Sequence, residues 1–338
     1  MGRINMESVS LDILRKRRGK GFEYFYESGK KVTDKKLLKR IDGLVIPPIW
    51  KNVQISRSPT QHLQAVGYDT KGRKQYLYHE NWHKARQQEK FAKLSDFGSG
   101  LPEFRKYCWS HVHEQQWTMD KTLSLVTLLL DHTGLRAGNR QYTEQNNTYG
   151  ITTLRRKHVY TDGGAVRLNF IGKHNKDRNV EIENPQLADL VSQSAEQRGY
   201  ALFRFMDDEG RWHDVDSDDV NHFIHTHLGN DYSCKDFRTW AACRFGLFSL
   251  PSIKEMVSQS PRRKWSTTLT KHVASMLGNT PAVCQQYYLH PKLYEVVESR
   301  SERETIIRRV AEYAPENILH DNAVSATERL LSQIIAIQ

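Results

Sequence analysis

The sequence predicts an α+β protein: a small β-rich amino-terminal module, then a larger and mainly helical region that carries one β-hairpin. Three observations predict it. GYDTKGRKQYLYH at 67–79 reads as two short strands across a tight turn at Thr70 to Gly72. From Asn81 onward the apolar residues fall at helical spacing. VRLNFIG and NVEIEN, at 166–172 and 179–184, alternate as a hairpin does, with Val166, Leu168 and Phe170 on one face and Val180 and Ile182 on the returning strand.

The elements follow in order. RKRRGKGFEYFYESGKKV at 15–32 sets charge beside alternating aromatics, and KLLKRIDGLVIPPIW at 36–50 is a helical piece that Pro47 and Pro48 must end. The β-rich module closes near His83. ENWHKARQQEKFAKLSDF at 80–97 reads as an amphipathic helix stopped by Gly98, Gly100 and Pro102, and 104–117 as another. TMDKTLSLVTLLLDHTG at 118–134 reads as a helix buried on one face, with Gly134 as its C-cap. The domain boundary falls within 80–100, which divides the chain into 1–86 and 87–338. After Pro185 helices dominate; Ser217 is the expected cap of one, with Asp218 and Asp219 in its first turn. Helices are also expected after Pro315.

Composition narrows the function classes. At 338 residues the chain can bury a large core in two domains. Fifty Lys and Arg against 39 Asp and Glu give a net charge of +11, a surplus that suits a polyanionic partner. No long apolar run marks a signal peptide, and no stretch is fit to span a bilayer. Cys108, Cys234, Cys243 and Cys284 are widely spaced, without a CxxC pair, and read as reduced intracellular thiols rather than a zinc site. The acidic stretch at 206–219 lacks EF-hand spacing. No GxxxxGK[ST], GxGxxG or HExxH occurs, which argues against kinase, motor and metalloprotease chemistry.

What remains is a set of cations ahead of a tyrosine on a short carboxy-terminal helix. TGLRAGNRQYTEQNNTYGITTLRRKHV at 133–159, FIGKHNKDR at 170–178, KDFRTWAA at 235–242 and LGNTPAVCQQYYLHP at 277–291 share an order and a spacing over roughly 200 residues. Together they resemble the catalytic domain of type IB DNA topoisomerases, in the compact poxvirus-like form found in many bacteria and some large viruses. RKQYLYH at 73–79 resembles the family's DNA-clamping cap.

The resemblance implies a clamp around duplex DNA and a reaction in which one strand is cut through a 3′ phosphotyrosyl link, the DNA relaxes, and the strand is rejoined without ATP. It implies Tyr288 as nucleophile, two residues before the His-Pro pair; periodicity alone does not choose between Tyr288 and Tyr287. It implies Arg136 and Arg238 as clamps on the scissile phosphate, where a guanidinium gives charge-assisted hydrogen bonds to nonbridging oxygens. Lys173 is implied as the general acid for the leaving 5′ oxygen, with Lys176 a neighbouring competitor. Asn279 stands nine residues before Tyr288, where many relatives and the tyrosine recombinases carry histidine. Its amide can donate to the phosphate but does not titrate near neutral pH. Gln75, Tyr76 and Tyr78 match the duplex-contacting QY-x-Y element, and Tyr142 is implied as a backbone contact.

No nucleotide, cofactor or essential metal is implied. The expected partner is double-stranded DNA, with no membrane, no obligatory protein partner and a monomeric state. The expected location is the cytoplasm or nucleoid of a bacterium, or otherwise an intracellular DNA compartment or virion. The alternatives are a site-specific tyrosine recombinase and a noncatalytic DNA-binding protein.

Overall fold

The computed structural model describes residues 10–260, 262–313 and 326–336. It divides into two units, one ending at Ala92 and one beginning at Lys93. The division lies within the 80–100 window and beyond residue 86, because the helix that starts at Glu80 belongs to the first unit.

The first unit consists of β1 (Ile13–Arg18), β2 (Gly21–Tyr26), α1 (Lys35–Gly43), β3 (Lys51–Ile55), β4 (Leu63–Tyr68), β5 (Lys74–Tyr78) and α2 (Glu80–Ala92). The strands form one antiparallel sheet in the order β2-β1-β3-β4-β5. Asp34 caps α1 by accepting from the Lys36 and Leu37 amides, and Leu37 and Ile41 turn one face of the helix inward. That face joins Ile13, Val53, Ile55 and Ala65 of the sheet in a single apolar core. β5, with Gln75, Tyr76 and Tyr78, is an edge strand. Tyr76 and Tyr78 share a face and stack with ring centroids 6.1 Å apart.

In the second unit, α3 (Leu94–Val112), α4 (Met119–Thr133) and α5 (Arg140–Asn146) precede a three-stranded antiparallel sheet in the order β6-β7-β8: β6 (Val159–Asp162), β7 (Ala165–Gly172) and β8 (Lys176–Glu181). The expected hairpin is therefore present and has a third strand on its outer side. Next come α6 (Pro185–Glu196), the ribbon β9 (Arg204–Met206) and β10 (Trp212–Asp214), then α7 (Ser217–Leu228), α8 (Cys234–Phe248), α9 (Leu250–Ser258) and α10 (Trp265–Leu277). The described residues end with α11 (Pro281–Tyr287), α12 (Pro291–Glu298), α13 (Arg300–Tyr313) and α14 (Ala326–Ala336). Of the region after Pro315, the described part is helical and the segment 316–325 lies outside the described residues.

Three local expectations are corrected. The helix expected over 80–97 breaks at Lys93, and α3 runs straight through Gly98, Gly100 and Pro102. Gly98 is there for packing: a Cβ at that position would press into the Trp240 ring of α8. The helix at 118–134 is buried on every side, from Lys121 to Asp131, rather than on one face, because α3 and α8 both pack on it. The cap of α7 is Asp216, whose carboxylate accepts from the Asp218 and Asp219 amides while Asp219 reaches back to the Asp216 amide; Ser217 is the first helical residue.

The helical core contains a buried ion network. Arg105 of α3 bonds Asp131 of α4 at 2.7 Å and Glu328 of α14 at 2.8 Å, and Arg244 of α8 bonds the same two carboxylates at 3.1 Å each. Trp240 adds an indole N–H to Glu328 at 2.9 Å. Burial alone would push Glu328 up; Arg105 and Arg244 outweigh it and hold the carboxyl well below the usual range. Glu328 is fully buried, so removing it leaves two buried guanidinium charges sharing the single carboxylate of Asp131. Glu328→Ala is expected to cost about 3–5 kcal/mol of unfolding free energy, read as a lowered denaturation midpoint in urea. A cost under about 1 kcal/mol would mean that α14 does not hold the network together.

Candidate active site

Four helix ends bring the site together. α4 stops at Gly134, which takes φ +60°, and the chain then turns out through Arg136. A Cβ on Gly134 would lie 3.0 Å from both the Ala241 and Leu277 side chains, so a larger residue fits neither the backbone nor the space. α10 stops at Gly278 in the same left-handed conformation, φ +63°, and Asn279 follows. Thr280 caps α11 by accepting from the Val283 amide at 3.3 Å, with Pro281 in its first turn. The fourth end is the start of α8, where Asp236 reaches back to the Ser233 amide at 2.9 Å; Arg238 lies in the first turns that follow.

Arg238 is 3% exposed, while Phe237, Trp240 and Ala241 beside it are fully buried. Its guanidinium donates to the Gly134 carbonyl and, at 2.7 Å, to the Leu277 carbonyl. One cation thus closes the carboxy-terminal ends of α4 and α10, where helix dipoles favour positive charge. In doing so it fixes the two loops that carry Arg136 and Asn279. Arg136 in turn donates to the Asn279 side-chain oxygen. This orients the Asn279 amide nitrogen away from Arg136, and that nitrogen is buried without a hydrogen-bond partner, as is Nε of Arg238.

Tyr288 sits at the same place. It is the residue after the last turn of α11, with φ −126° and ψ −29°, so it leaves the helical path that Tyr287 still follows. Its ring centroid is 5.2 Å from the Arg238 guanidinium carbon. Burial, then Arg136, pushes the Arg238 guanidinium down to about 10, and the nearby Tyr288 hydroxyl opposes the shift. Burial likewise lowers Arg136, again opposed by Tyr288. Arg238 stays charged at neutral pH, and an anion bound beside it would offset the repulsion from Arg136 that it now feels. The Cys243 thiol of α8 holds the backbone here, donating to the Tyr288 carbonyl at 3.3 Å and accepting from the His290 amide at 3.4 Å. Burial holds His290 near 4, so its ring is neutral, and Nδ1 accepts from the Lys292 amide as the cap of α12.

The structure therefore brings Arg136, Arg238, Asn279 and Tyr288 together. Lys173 is elsewhere: it lies exposed at the turn between β7 and β8. Its neighbour His174 is lowered by burial and by Lys173, Arg136 and Lys176, which places this turn on the Arg136 side of the unit. Lys176 is committed to another contact, donating to the Asn279 carbonyl at 3.0 Å. Arg244, one and a half turns beyond Arg238, faces the buried ion network instead. Tyr142 is 46% exposed on α5, and Gln75, Tyr76 and Tyr78 belong to the first unit, where Gln75 donates to Asp69 at 3.0 Å and Tyr76 is 47% exposed.

Sequence reasoning missed Arg178 of β8. Its Nη2 donates to the Met276 carbonyl at 2.8 Å, one further cation at the end of α10. The motif contained it, but only its spatial neighbour Gly278 shows what it does. Among the described residues no group of three or more His, Cys, Asp or Glu could hold a metal ion, and no helix is long and apolar enough to cross a membrane.

Comparison with known proteins covers nearly all of this ground. A family model described as the catalytic core of eukaryotic DNA topoisomerase I matches residues 79–312, and one described as the N-terminal domain of bacterial DNA topoisomerase IB matches residues 21–69. The chain is 31% identical over 301 residues to DNA topoisomerase 1B of Acanthamoeba polyphaga mimivirus, a match that spans 86% of this chain and 88% of the viral one. It is 23% identical to DNA topoisomerase I of monkeypox virus, over 82% of this chain and 90% of that protein. DNA topoisomerase 1 of rabbit fibroma virus is 21% identical, over 73% and 76% respectively.

Proposed function

The chain belongs to the type IB DNA topoisomerase family, and from that premise we propose the residues that carry the reaction and the partner that they meet. As a member, it is an isomerase that relaxes supercoiled duplex DNA by cutting one strand through a 3′ phosphotyrosyl intermediate and rejoining it without ATP. Tyr288 is the nucleophile. Its oxygen attacks the scissile phosphorus as the bond to the 5′ oxygen breaks, the phenolic proton passes to water, and Lys173 protonates the leaving oxygen. Arg136 and Arg238 hold the nonbridging oxygens as charge develops on them, and the free Asn279 amide proton adds a third donor. Rejoining is the same sequence reversed. The new phosphodiester resembles the one broken, so strain in the DNA is the only driving force required.

The observation that carries this reading is the pair of buried, unpartnered donors, Arg238 Nε and Asn279 Nδ2, beside a tyrosine whose ring lies 5.2 Å from the Arg238 guanidinium. Buried donors in a native fold are nearly always satisfied, and a phosphodiester oxygen would satisfy these. Asn279 gives its donor at every pH, so no titration at this position sets the rate. Double-stranded DNA is the partner and the enzyme acts as a monomer. Gln75, Tyr76, Tyr78 and Tyr142 contact the duplex, the tyrosines through phosphates and Gln75 at a base edge. In a bacterium it acts in the cytoplasm, at the nucleoid.

Incubating the purified protein with negatively supercoiled plasmid tests this. Relaxation is expected with chelator present and no ATP. Failure to relax, with strand exchange between paired sites instead, would favour a recombinase.

A further inference from the structure

We infer that Arg178 is a positioning residue that sets the distance between Lys173 and the rest of the site; this rests on the reading of Lys173 as the proton donor. The side chain starts on β8 and crosses two glycines. A Cβ on Gly172 would lie 3.0 Å from Arg178 Cγ, and one on Gly278 would lie 2.9 Å from Arg178 Cδ. These glycines directly precede Lys173 and Asn279. The aliphatic stem is thus clasped at one end by the turn that carries the proton donor, and at the other by the turn that carries the phosphate donor. The guanidinium finishes on the end of α10, on the Met276 carbonyl at 2.8 Å and the Ser275 carbonyl at 3.5 Å. Lys176 repeats the arrangement one register step away, from the same strand to the Asn279 carbonyl at 3.0 Å.

The hairpin needs such a tether. Its tip is made of exposed residues, two of them, His174 and Asn175, at positive φ, and among the described residues Lys173 itself makes no hydrogen bond or ion pair. A side chain with four rotatable bonds on a free hairpin would rarely meet the 5′ oxygen. Pinning β8 to α10 removes the motion of the hairpin and leaves only that of the lysine. Asn279 does not depend on the tether in the same way, because Arg136 and the end of α10 already hold it. Loss of Arg178 should therefore impair proton donation more than phosphate binding.

The chemistry of the leaving group separates the two. In cleavage the Tyr288 oxygen–phosphorus bond forms while the phosphorus–O5′ bond breaks with its electron pair on O5′. That oxygen then takes the proton from Lys173. If sulfur replaces the 5′ bridging oxygen, a thiolate leaves without a proton. Single-turnover cleavage would be measured for wild type, Arg178→Ala, Arg178→Lys, Lys176→Met and Lys173→Ala, each on a duplex with oxygen and with sulfur at a mapped cleavage phosphate. The readout is the oxygen-to-sulfur rate ratio within one variant, so a smaller folded fraction cancels. Lys173→Ala and Arg178→Ala are both expected to be slowed with oxygen, Arg178→Ala by about 10²-fold, and to recover most of that rate with sulfur. Arg178→Lys should fall between Arg178→Ala and wild type, because one donor remains and the planar fork is lost. Equal losses on the two substrates for the Arg178 variants, or no loss, would overturn the inference while leaving Lys173 as the acid. A normal ratio for Lys173→Ala would overturn both.

Discussion

Replacing Tyr288 with phenylalanine is expected to reduce covalent capture of DNA, and with it plasmid relaxation, to background. The change removes one oxygen and keeps the ring that packs 5.2 Å from Arg238. The backbone contacts from Cys243 to Tyr288 and His290 are untouched, and Leu289 and Cys284 still anchor the segment in the core. Folding and noncovalent DNA binding should therefore remain, measured by the thermal midpoint and by a mobility shift. Tyr287→Phe is the matched control and should relax DNA at close to the wild-type rate. Loss of activity in Tyr287→Phe with activity retained in Tyr288→Phe would exchange the two assignments.

Arg238→Ala should lower the cleavage rate by about 10²–10³-fold, the usual consequence of removing one donor from a developing oxyanion. It should also destabilise the fold, because the Gly134 and Leu277 carbonyls lose a buried partner. Each orphaned group of this kind costs about 1–3 kcal/mol. These two effects share a cause. The guanidinium proposed to meet the phosphate also ties down the loops of Arg136 and Asn279, so it sets the geometry of the other proposed donors. The double variant Arg136→Ala/Arg238→Ala should consequently be less impaired than the product of the single losses predicts. Strict multiplicativity in single-turnover cleavage would show that Arg238 acts on the phosphate alone.

Much of this site was legible in the sequence because it is built from helix ends, which have short-range signals. Gly134, Gly278, Pro281 and the Ser233 to Asp236 spacing each announce a start or a stop within a few residues. The β7–β8 hairpin was equally plain, since alternation over 166–172 has one reading. Elsewhere the local signal misled. Gly98 and Pro102 usually mark a break, but α3 runs through both; at Gly98 the reason is close packing on Trp240, and no local rule contains that contact. Full burial of α4 was hidden because Lys121, Thr122, Ser124 and Thr127 look like a polar face; Lys121 and Thr122 find partners in Glu114 and Arg204 carbonyls instead.

The long-range pairs were out of reach for a different reason. Arg105 and Glu328 are separated by 223 residues, and Arg178 lies 98 residues from its Met276 acceptor. Nothing in their spacing distinguishes Arg105 and Glu328 from two solvated surface charges, or Arg178 from a solvated arginine. The same holds for Lys176, which the sequence leaves as a rival to Lys173. Its engagement with the Asn279 carbonyl separates the two lysines by what each is free to do.

Attack of the Tyr288 oxygen on the phosphorus leaves a covalent mark that can be read residue by residue. The most direct measurement traps the protein on a duplex nicked just downstream of its cleavage site, digests the adduct with protease, and sequences the DNA-linked peptide by mass spectrometry. A single modified residue is expected, Tyr288, joined to a 3′ phosphate. A link through Tyr287, or through a 5′ phosphate, would contradict it.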